Sequence, residues 1–312
     1  MAVTMRGKSF IAETDLSVEE FFQILRFAET LKVEKLAGKP HPLLAGKTLA
    51  MVFQKASTRT RVSFEVGMAQ LGGSALYLSS TDLQLKRGET ISDTAQTLSR
   101  YVDGIMARTY AHQDVVDLAT YGTVPVINGL TDRNHPCQAM TDFFTIYEKK
   151  GHLAGRKLAY VGDGNNMCNS LLGGGALAGM HVVAACPSGF QPDAEYVATA
   201  RSIAGTTGAK IDITEDPARA VKDADVIYTD VWASMGQEEE HAKRVKAFKG
   251  YQVDAKLAKG ARPDFCFMHC LPAHRGEEVS AEIIDGSHSV VWDQAENRLH
   301  VQKAIMAMLM AG

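Results

Sequence analysis

Nowhere does the chain carry an apolar run close to the roughly 20 residues that a membrane-spanning helix needs, which excludes a helical membrane protein. Blocks of lysine and arginine are missing as well. With a net charge of −3 and the basic residues dispersed, electrostatic nucleic-acid binding has no footprint, although local arginines still suit a small anion. Cysteine is too sparse for a disulfide framework: Cys137, Cys168, Cys186, Cys266 and Cys270 are odd in number, scattered, and better read as reduced thiols. The start, Met-Ala-Val-Thr-Met-Arg-Gly-Lys, has no apolar core of a secretory signal, so a cytoplasmic location is expected. Internal repeats and low-complexity segments are also absent. What remains is a globular chain of 312 residues, 46% hydrophobic and 22% charged, with room for two domains of about 150 residues each.

Strand-like and helix-like patterns alternate throughout, the signature of an α/β fold. Strands are expected at 48–53, 74–78, 104–106 and 124–128, then at 157–161, 180–185, 209–213, 225–228, 265–269 and 290–293. Their near-continuous apolar character implies parallel sheets covered on both faces, where ligands bind beyond the carboxyl ends of the strands. A helix over 136–149 runs into Lys-Lys-Gly-His-Leu-Ala-Gly-Arg, a stop signal that puts a domain boundary near Gly151. The expected fold is therefore two doubly wound parallel-sheet α/β domains. In the last helix, over 294–311, Ile305, Met306, Leu309 and Met310 read as packing.

The densest chemistry lies where the first strand becomes a helix, in Phe-Gln-Lys-Ala-Ser-Thr-Arg-Thr-Arg. Val62, Val66, Ala69 and Leu71 have helical spacing, so Ser57, Thr58, Arg59, Thr60 and Arg61 fall on the first turn. Unpaired N–H groups and the helix dipole favour an anion there, and arginine adds a planar fork matched to phosphoryl oxygens. An ordinary Ser/Thr cap with solvated arginines is the alternative, and two arginines behind two hydroxyls weigh against it.

Other motifs are more ambiguous alone. Val161-Gly162-Asp163-Gly164-Asn165-Asn166 resembles a dinucleotide fingerprint, but Met167 stands where the third glycine belongs, which disfavours a nicotinamide cofactor. Asn165 and Asn166 are open to two roles, helix capping or holding a ligand's carboxylate or ammonium. His135 before Pro136, Cys137 and Gln138 is either a cap or a neutral donor that polarises a carbonyl while Gln138 bonds the adjacent amide. Cys266, His269 and Cys270 lack the fourth ligand and spacing of a zinc site, so no metal is expected. Cys270, at the end of a strand in His-Cys-Leu-Pro, is either buried and inert or a thiol tuned by nearby cations. Asp230-Val-Trp-Ala-Ser-Met-Gly reads as a lid loop with one carboxylate for an ammonium group, and Glu238 to Glu240 as a solvated helix start.

Together the Ser-Thr-Arg-Thr-Arg run, Arg108 in Met-Ala-Arg-Thr, His-Pro-Cys-Gln, the Ser-Met-Gly loop and His-Cys-Leu-Pro resemble the transcarbamoylase family along the whole chain, most closely its ornithine branch. Relatives acting on acetylornithine, succinylornithine, putrescine or aspartate share parts of this set. The resemblance implies a carbamoyl-phosphate-binding domain over 1–150, an ornithine-binding domain over 151–293, and a helix over 294–312 returning to the first. Carbamoyl phosphate and L-ornithine are the implied substrates, without cofactor, and the implied unit is a homotrimer or a multiple of one. By similarity Ser57, Thr58, Arg59 and Thr60 hold the phosphate, with Gln84 reaching into a neighbouring subunit's site. Arg108, His135, Pro136, Cys137, Gln138, Cys270, Leu271 and Arg298 surround the carbamoyl end. Asn166, Asp230, Ser234 and Met235 take ornithine, and Cys270, Asp230, Arg108 and His135 are the implied catalytic set. Two readings compete: a dinucleotide-dependent oxidoreductase using Gly162 and Gly164, and a phosphate-ligand sensor without turnover.

Overall fold

Residues 4–80, 83–84, 88–233 and 240–311 are described by a computed structural model. The chain splits into two compact units, Met1–Phe144 with Glu296–Gly312, and Thr145–Ala295. In the first, α1 (Val18–Leu36) begins at a capping box, Ser17 accepting from the Glu20 N–H and Glu20 accepting from the Ser17 N–H. The strands β1 (Thr48–Phe53), β2 (Ser74–Ser79), β3 (Gly104–Arg108) and β4 (Val126–Leu130) form a parallel sheet in the order β2-β1-β3-β4. Between them run α2 (Thr58–Gln70), α3 (Ile91–Leu98) and α4 (His112–Tyr121). From β1 the chain passes to a neighbour on one side and then to β3 on the other. This reversal opens a crevice at the carboxyl ends of β1 and β3.

α5 (Pro136–Lys150) leads into the second unit, whose sheet has the order β7-β6-β5-β8-β9. Its strands are β5 (Lys157–Val161), β6 (His181–Ala185), β7 (Lys210–Thr214), β8 (Val226–Thr229) and β9 (Cys266–His269), all parallel. The helices are α6 (Asn166–Leu177), α7 (Ala194–Thr207), α8 (Pro217–Val221), α9 (His241–Ala247), α10 (Ala255–Ala258) and α11 (Ala281–Ile284). Here the reversal lies between β5 and β8. α12 (Val291–Met310) carries the chain back to the first unit, where Lys303, Ala304, Ile305 and Met306 are buried.

One sequence expectation is overturned. Residues 290–293 are not a strand: Ser289 bridges Phe267, Val290 donates to the Phe267 carbonyl, and the Gln294 N–H already bonds Val290 as α12 begins. Two valines and a tryptophan have β propensity, but four residues are too few to show a period, and the local ladder ends before them. α2 forms where the spacing of Val62, Val66 and Ala69 placed a helix, although those residues are not the face it buries. Its buried residues are Thr60, Phe64, Gly67 and Met68, whereas Val62 is 49% and Val66 39% exposed. Gly67 fixes that rotation, since a Cβ there would lie 2.8 Å from Met306 Cε on α12.

Candidate active site

At the β1 to α2 turn, Ser57 is the N-cap, its Oγ accepting from the Thr60 N–H at 3.2 Å. Thus Ser57 does cap, and the anion reading must rest on what gathers around Thr60. This threonine is fully buried, and its hydroxyl oxygen lies 3.1 Å from Arg298 Nη2, 3.5 Å from Arg108 Nη1 and 3.1 Å from Ser57 Oγ. Arg108 ends β3, directly across the crevice from β1, and Arg298 comes from the second turn of α12. Arg298 also donates to Gln138 Oε1 at 2.8 Å, and Gln138 Nε2 donates to Asp142 at 2.7 Å.

His135 joins this group from the turn before α5. Its ordinary value near 6.5 is driven well down, first by burial and then by the charges of Arg298, Arg108 and Arg59. The imidazole is therefore neutral at pH 7, a donor or acceptor rather than a fourth cation. Three guanidinium charges around one neutral ring make a field suited to a small, multiply charged anion. Thr58 and Arg59 stand beside it at the start of α2, exposed and half-buried respectively. Arg61 turns away instead, donating to Glu65 at 3.0 Å and stacking 3.9 Å over the Tyr77 ring. Pro136 opens α5, and the fully buried Cys137 thiol, pushed up to about 12 by burial, donates to the Asn128 carbonyl. That thiol is inert at neutral pH.

In the second unit the corresponding crevice is organised by Asp230, directly after β8. Asn165, after β5, takes the capping role: Oδ1 caps α6 by accepting from Met167 and Cys168, while Nδ2 donates to the protein's own Asp230 Oδ2 at 2.9 Å. Cys270 Sγ donates to Asp230 Oδ1 at 3.1 Å. Asn166, by contrast, is the first residue of α6. The next turn holds Leu271 at φ +60°, its N–H bonded to His269 Nδ1 at 2.9 Å. Because Nδ1 accepts, the proton of His269 sits on Nε2, which faces the buried Glu278 at 3.2 Å. Asp230, rather than Cys266, completes a group with His269 and Cys270 whose ligand atoms lie within 4.8 Å of one another.

The glycines of the fingerprint-like loop serve packing. A Cβ on Gly164 would lie 2.2 Å from the Pro192 backbone nitrogen, and Gly162 adopts φ +148°. Gln84 is exposed, with its carbonyl accepting from the Glu89 N–H, and Ser234 and Met235 lie outside the described residues, as do Glu238 and Glu239 of the acidic run.

Sequence reasoning missed the supports beneath these groups. Arg244 on α9 donates to Asp163 at 2.7 Å and to the Trp232 carbonyl at 2.9 Å, fixing the start of the 230–233 segment. Asn128 and Asn134, bonded to each other at 2.7 Å, brace the turn before His135. Gln302, one turn beyond Arg298, accepts from Arg298 Nη2 at 2.9 Å and donates to Ser63 when its amide is oriented to satisfy both groups. Only the spacing of Gln302 to Arg298, i to i+4 on one helix, was visible in advance.

The family model for the carbamoyl-P binding domain of aspartate/ornithine carbamoyltransferase matches residues 8–148, and that for the Asp/Orn binding domain matches 154–309. An anabolic ornithine carbamoyltransferase of Pyrococcus furiosus is 59% identical over 312 residues, covering 100% of this chain and 99% of the relative. An ornithine carbamoyltransferase of Pyrococcus horikoshii is 58% identical over the same length, with 100% and 98% covered. The solved structure of the Pyrococcus furiosus enzyme superposes with a TM-score of 0.97 over 99% of both chains. A solved anabolic ornithine carbamoyltransferase from Campylobacter jejuni, 43% identical, gives 0.91 over 96% of this chain and 97% of that one.

Proposed function

Because the chain belongs to the aspartate/ornithine carbamoyltransferase family, we propose that it transfers the carbamoyl group of carbamoyl phosphate to the side-chain amine of L-ornithine, giving L-citrulline and phosphate. The observation that carries the choice of acceptor is Asp230. A carboxylate at the β5/β8 reversal, already receiving hydrogen bonds from Asn165 and Cys270, suits an amine and repels an acidic acceptor such as aspartate.

In this reading Ser57, Thr58, Arg59 and Thr60 cradle the phosphate, while Arg108, His135, Gln138 and Arg298 hold the carbamoyl end. The backbone at Pro136 and Cys137 shapes that end, since the Cys137 thiol is engaged with Asn128. Ornithine's side-chain ammonium has a lysine-like value near about 10, so it must reach the site deprotonated. Asp230 and Cys270 orient it, and Asn166 takes the amino-acid end together with Ser234 and Met235. The amine nitrogen then forms a bond to the carbamoyl carbon. The tetrahedral oxyanion that results is stabilised by Arg108, Thr60 and neutral His135. Collapse breaks the C–O bond to phosphate, the proton shed by the new C–N nitrogen passes to the leaving phosphate, and hydrogen phosphate departs among the arginines. Positioning and electrostatics supply the rate. The reading runs in the biosynthetic direction, in keeping with the anabolic enzymes among the relatives.

The active unit we infer is a homotrimer or a multiple of one, with Gln84 serving a neighbouring site. Supporting it, Val62 and Val66 on α2 and Leu76 on the edge strand β2, 48% exposed, leave apolar side chains uncovered on the first unit. No helix among the described residues is long and apolar enough to cross a membrane, and the five free cysteines suit a reducing cytoplasm.

A citrulline-forming assay with carbamoyl phosphate and ornithine, beside putrescine, aspartate and N-acylated ornithines, tests the reading. Turnover with ornithine alone is expected. Turnover only with another acceptor would overturn the assignment of Asp230, and none at all would leave a binding protein.

A further inference from the structure

Three metal-ligating side chains meet in the second unit beside the Asp230–Cys270 pair, and a fourth, His241, reaches one of them. The turn after β9 brings His274, Glu277 and Glu278 together, and their ligand atoms lie within 4.8 Å of one another. Gly276, at φ +93°, lets that turn fold so that the Glu277 N–H bonds the His274 carbonyl at 3.0 Å. From α9, His241 extends Nε2 to 3.0 and 3.2 Å from the two carboxylate oxygens of Glu277.

Glu278 supplies the second observation. Its side chain is fully buried, and Oε1 is occupied by His269 Nε2 and the His274 N–H. Among the described residues Oε2 has no hydrogen-bond partner, and it lies 3.9 Å from His274 Nδ1. A buried carboxylate oxygen without a donor is costly, and a cation is what such an atom lacks. The adjacent guanidinium does not serve: Arg275 is held by Asp285 at 2.6 and 2.9 Å. Among the described residues no lysine or arginine pairs with Glu277 or Glu278.

We propose that His241, His274, Glu277 and Glu278 form a binding site for a divalent transition metal of the zinc class. Two imidazoles and two carboxylates are the donor set such ions take, whereas calcium and magnesium prefer all-oxygen shells. His241 and His274 are 48% and 51% exposed, so their rings can rotate onto a metal while Glu278 keeps its bond to His269. An occupied site would tie α9 to the turn that follows Cys270 and Leu271. The inference stands apart from the carbamoyl-transfer reading, since its test reads metal binding.

Cobalt(II) titration of the chelator-treated full-length protein, followed by visible absorption and by dialysis, provides that test. One equivalent is expected, with a tetrahedral-type visible band and without the near-ultraviolet thiolate band that Cys270 would produce. His241→Ala and His274→Ala, made separately at exposed positions and checked by circular dichroism, should each weaken binding by more than about tenfold, since even outer-shell losses reach that size. Cys270→Ser should bind normally. A thiolate band, loss of binding in Cys270→Ser, unchanged binding in both histidine variants, or no binding at all would each overturn the proposal.

Discussion

Replacing Asn165 separates two functions carried by one side chain. Its Oδ1 caps α6, a contribution of about 1 kcal/mol by the usual cost of losing an N-cap. Its Nδ2 bonds the Asp230 carboxylate at 2.9 Å, and hydrogen bonds to charged groups are worth about 1.5–3 kcal/mol. Asn165→Ser keeps a capping oxygen and loses the Asp230 bond, whereas Asn165→Ala loses both. The serine variant should therefore keep the cap but lose about 1.5–3 kcal/mol in urea unfolding with the Asp230 bond, and roughly ten- to a hundredfold in kcat/KM for ornithine. The alanine variant should match that kinetic loss and be less stable by about a further 1 kcal/mol. Asn165→Asp makes a sharper case, because two carboxylates about 2.9 Å apart repel by roughly 6 kcal/mol at an effective dielectric of 20, so one of them must take up a proton. The activity profile of that variant should shift along the pH axis. Unchanged ornithine kinetics in Asn165→Ser would refute the claim that this bond orients Asp230.

Arg59→Ala should abolish detectable carbamoyl phosphate binding in calorimetry, and undiminished affinity would remove Arg59 from the cradle. Gln302→Leu leaves Arg298 without one of its acceptors and should weaken phosphate binding roughly tenfold, about 1.4 kcal/mol; an unchanged inhibition constant for phosphate would show that Arg298 is positioned without it. Asp163 is raised by burial from 3.8 to about 6, so between those values the folded state binds the extra proton and this group makes stability fall as pH rises; below about 6 the Arg244 ion pair is lost. Carboxyl NMR should give a midpoint near 6 for Asp163, and one near 4 would contradict the burial argument. Gly164→Ala drives a methyl into the 191–192 backbone and should cost about 1–3 kcal/mol, and NADH should bind neither form; stable folding of the alanine variant would undo the packing account.

Much of the scaffold was legible because each strand is a short, buried, near-continuous apolar run with a turn behind it. β1 and β5 were bounded to the residue for that reason, and their carboxyl ends located both crevices. Helix faces were harder. Val62 and Val66 have the spacing of a core stripe, but an apolar pattern does not say whether the chain itself or another surface covers it. The site split along the same line. Thr60, Arg108 and Asp230 lie at strand ends or on a first helical turn, where position alone suggests chemistry. Arg298 sits among charged residues on a helix, and nothing local distinguishes it from a solvated face; only the packing of α12 buries it to 3% exposure. Arg61, beside Thr60 in sequence, lies one helical step too far round and serves Glu65 and Tyr77 instead.

The first unit is assembled from two stretches of chain separated by an entire second unit. During synthesis, residues 4–144 are therefore translated well before the helix whose Met306 and Met310 pack against Gly67 and Gly104. Arg298 arrives with that same helix. Helix α12, translated after the whole second unit, thus brings Arg298 and the core plug together, so a nascent chain interrupted before residue 296 exposes apolar surface for chaperones and proteases before it can hold a phosphorylated ligand.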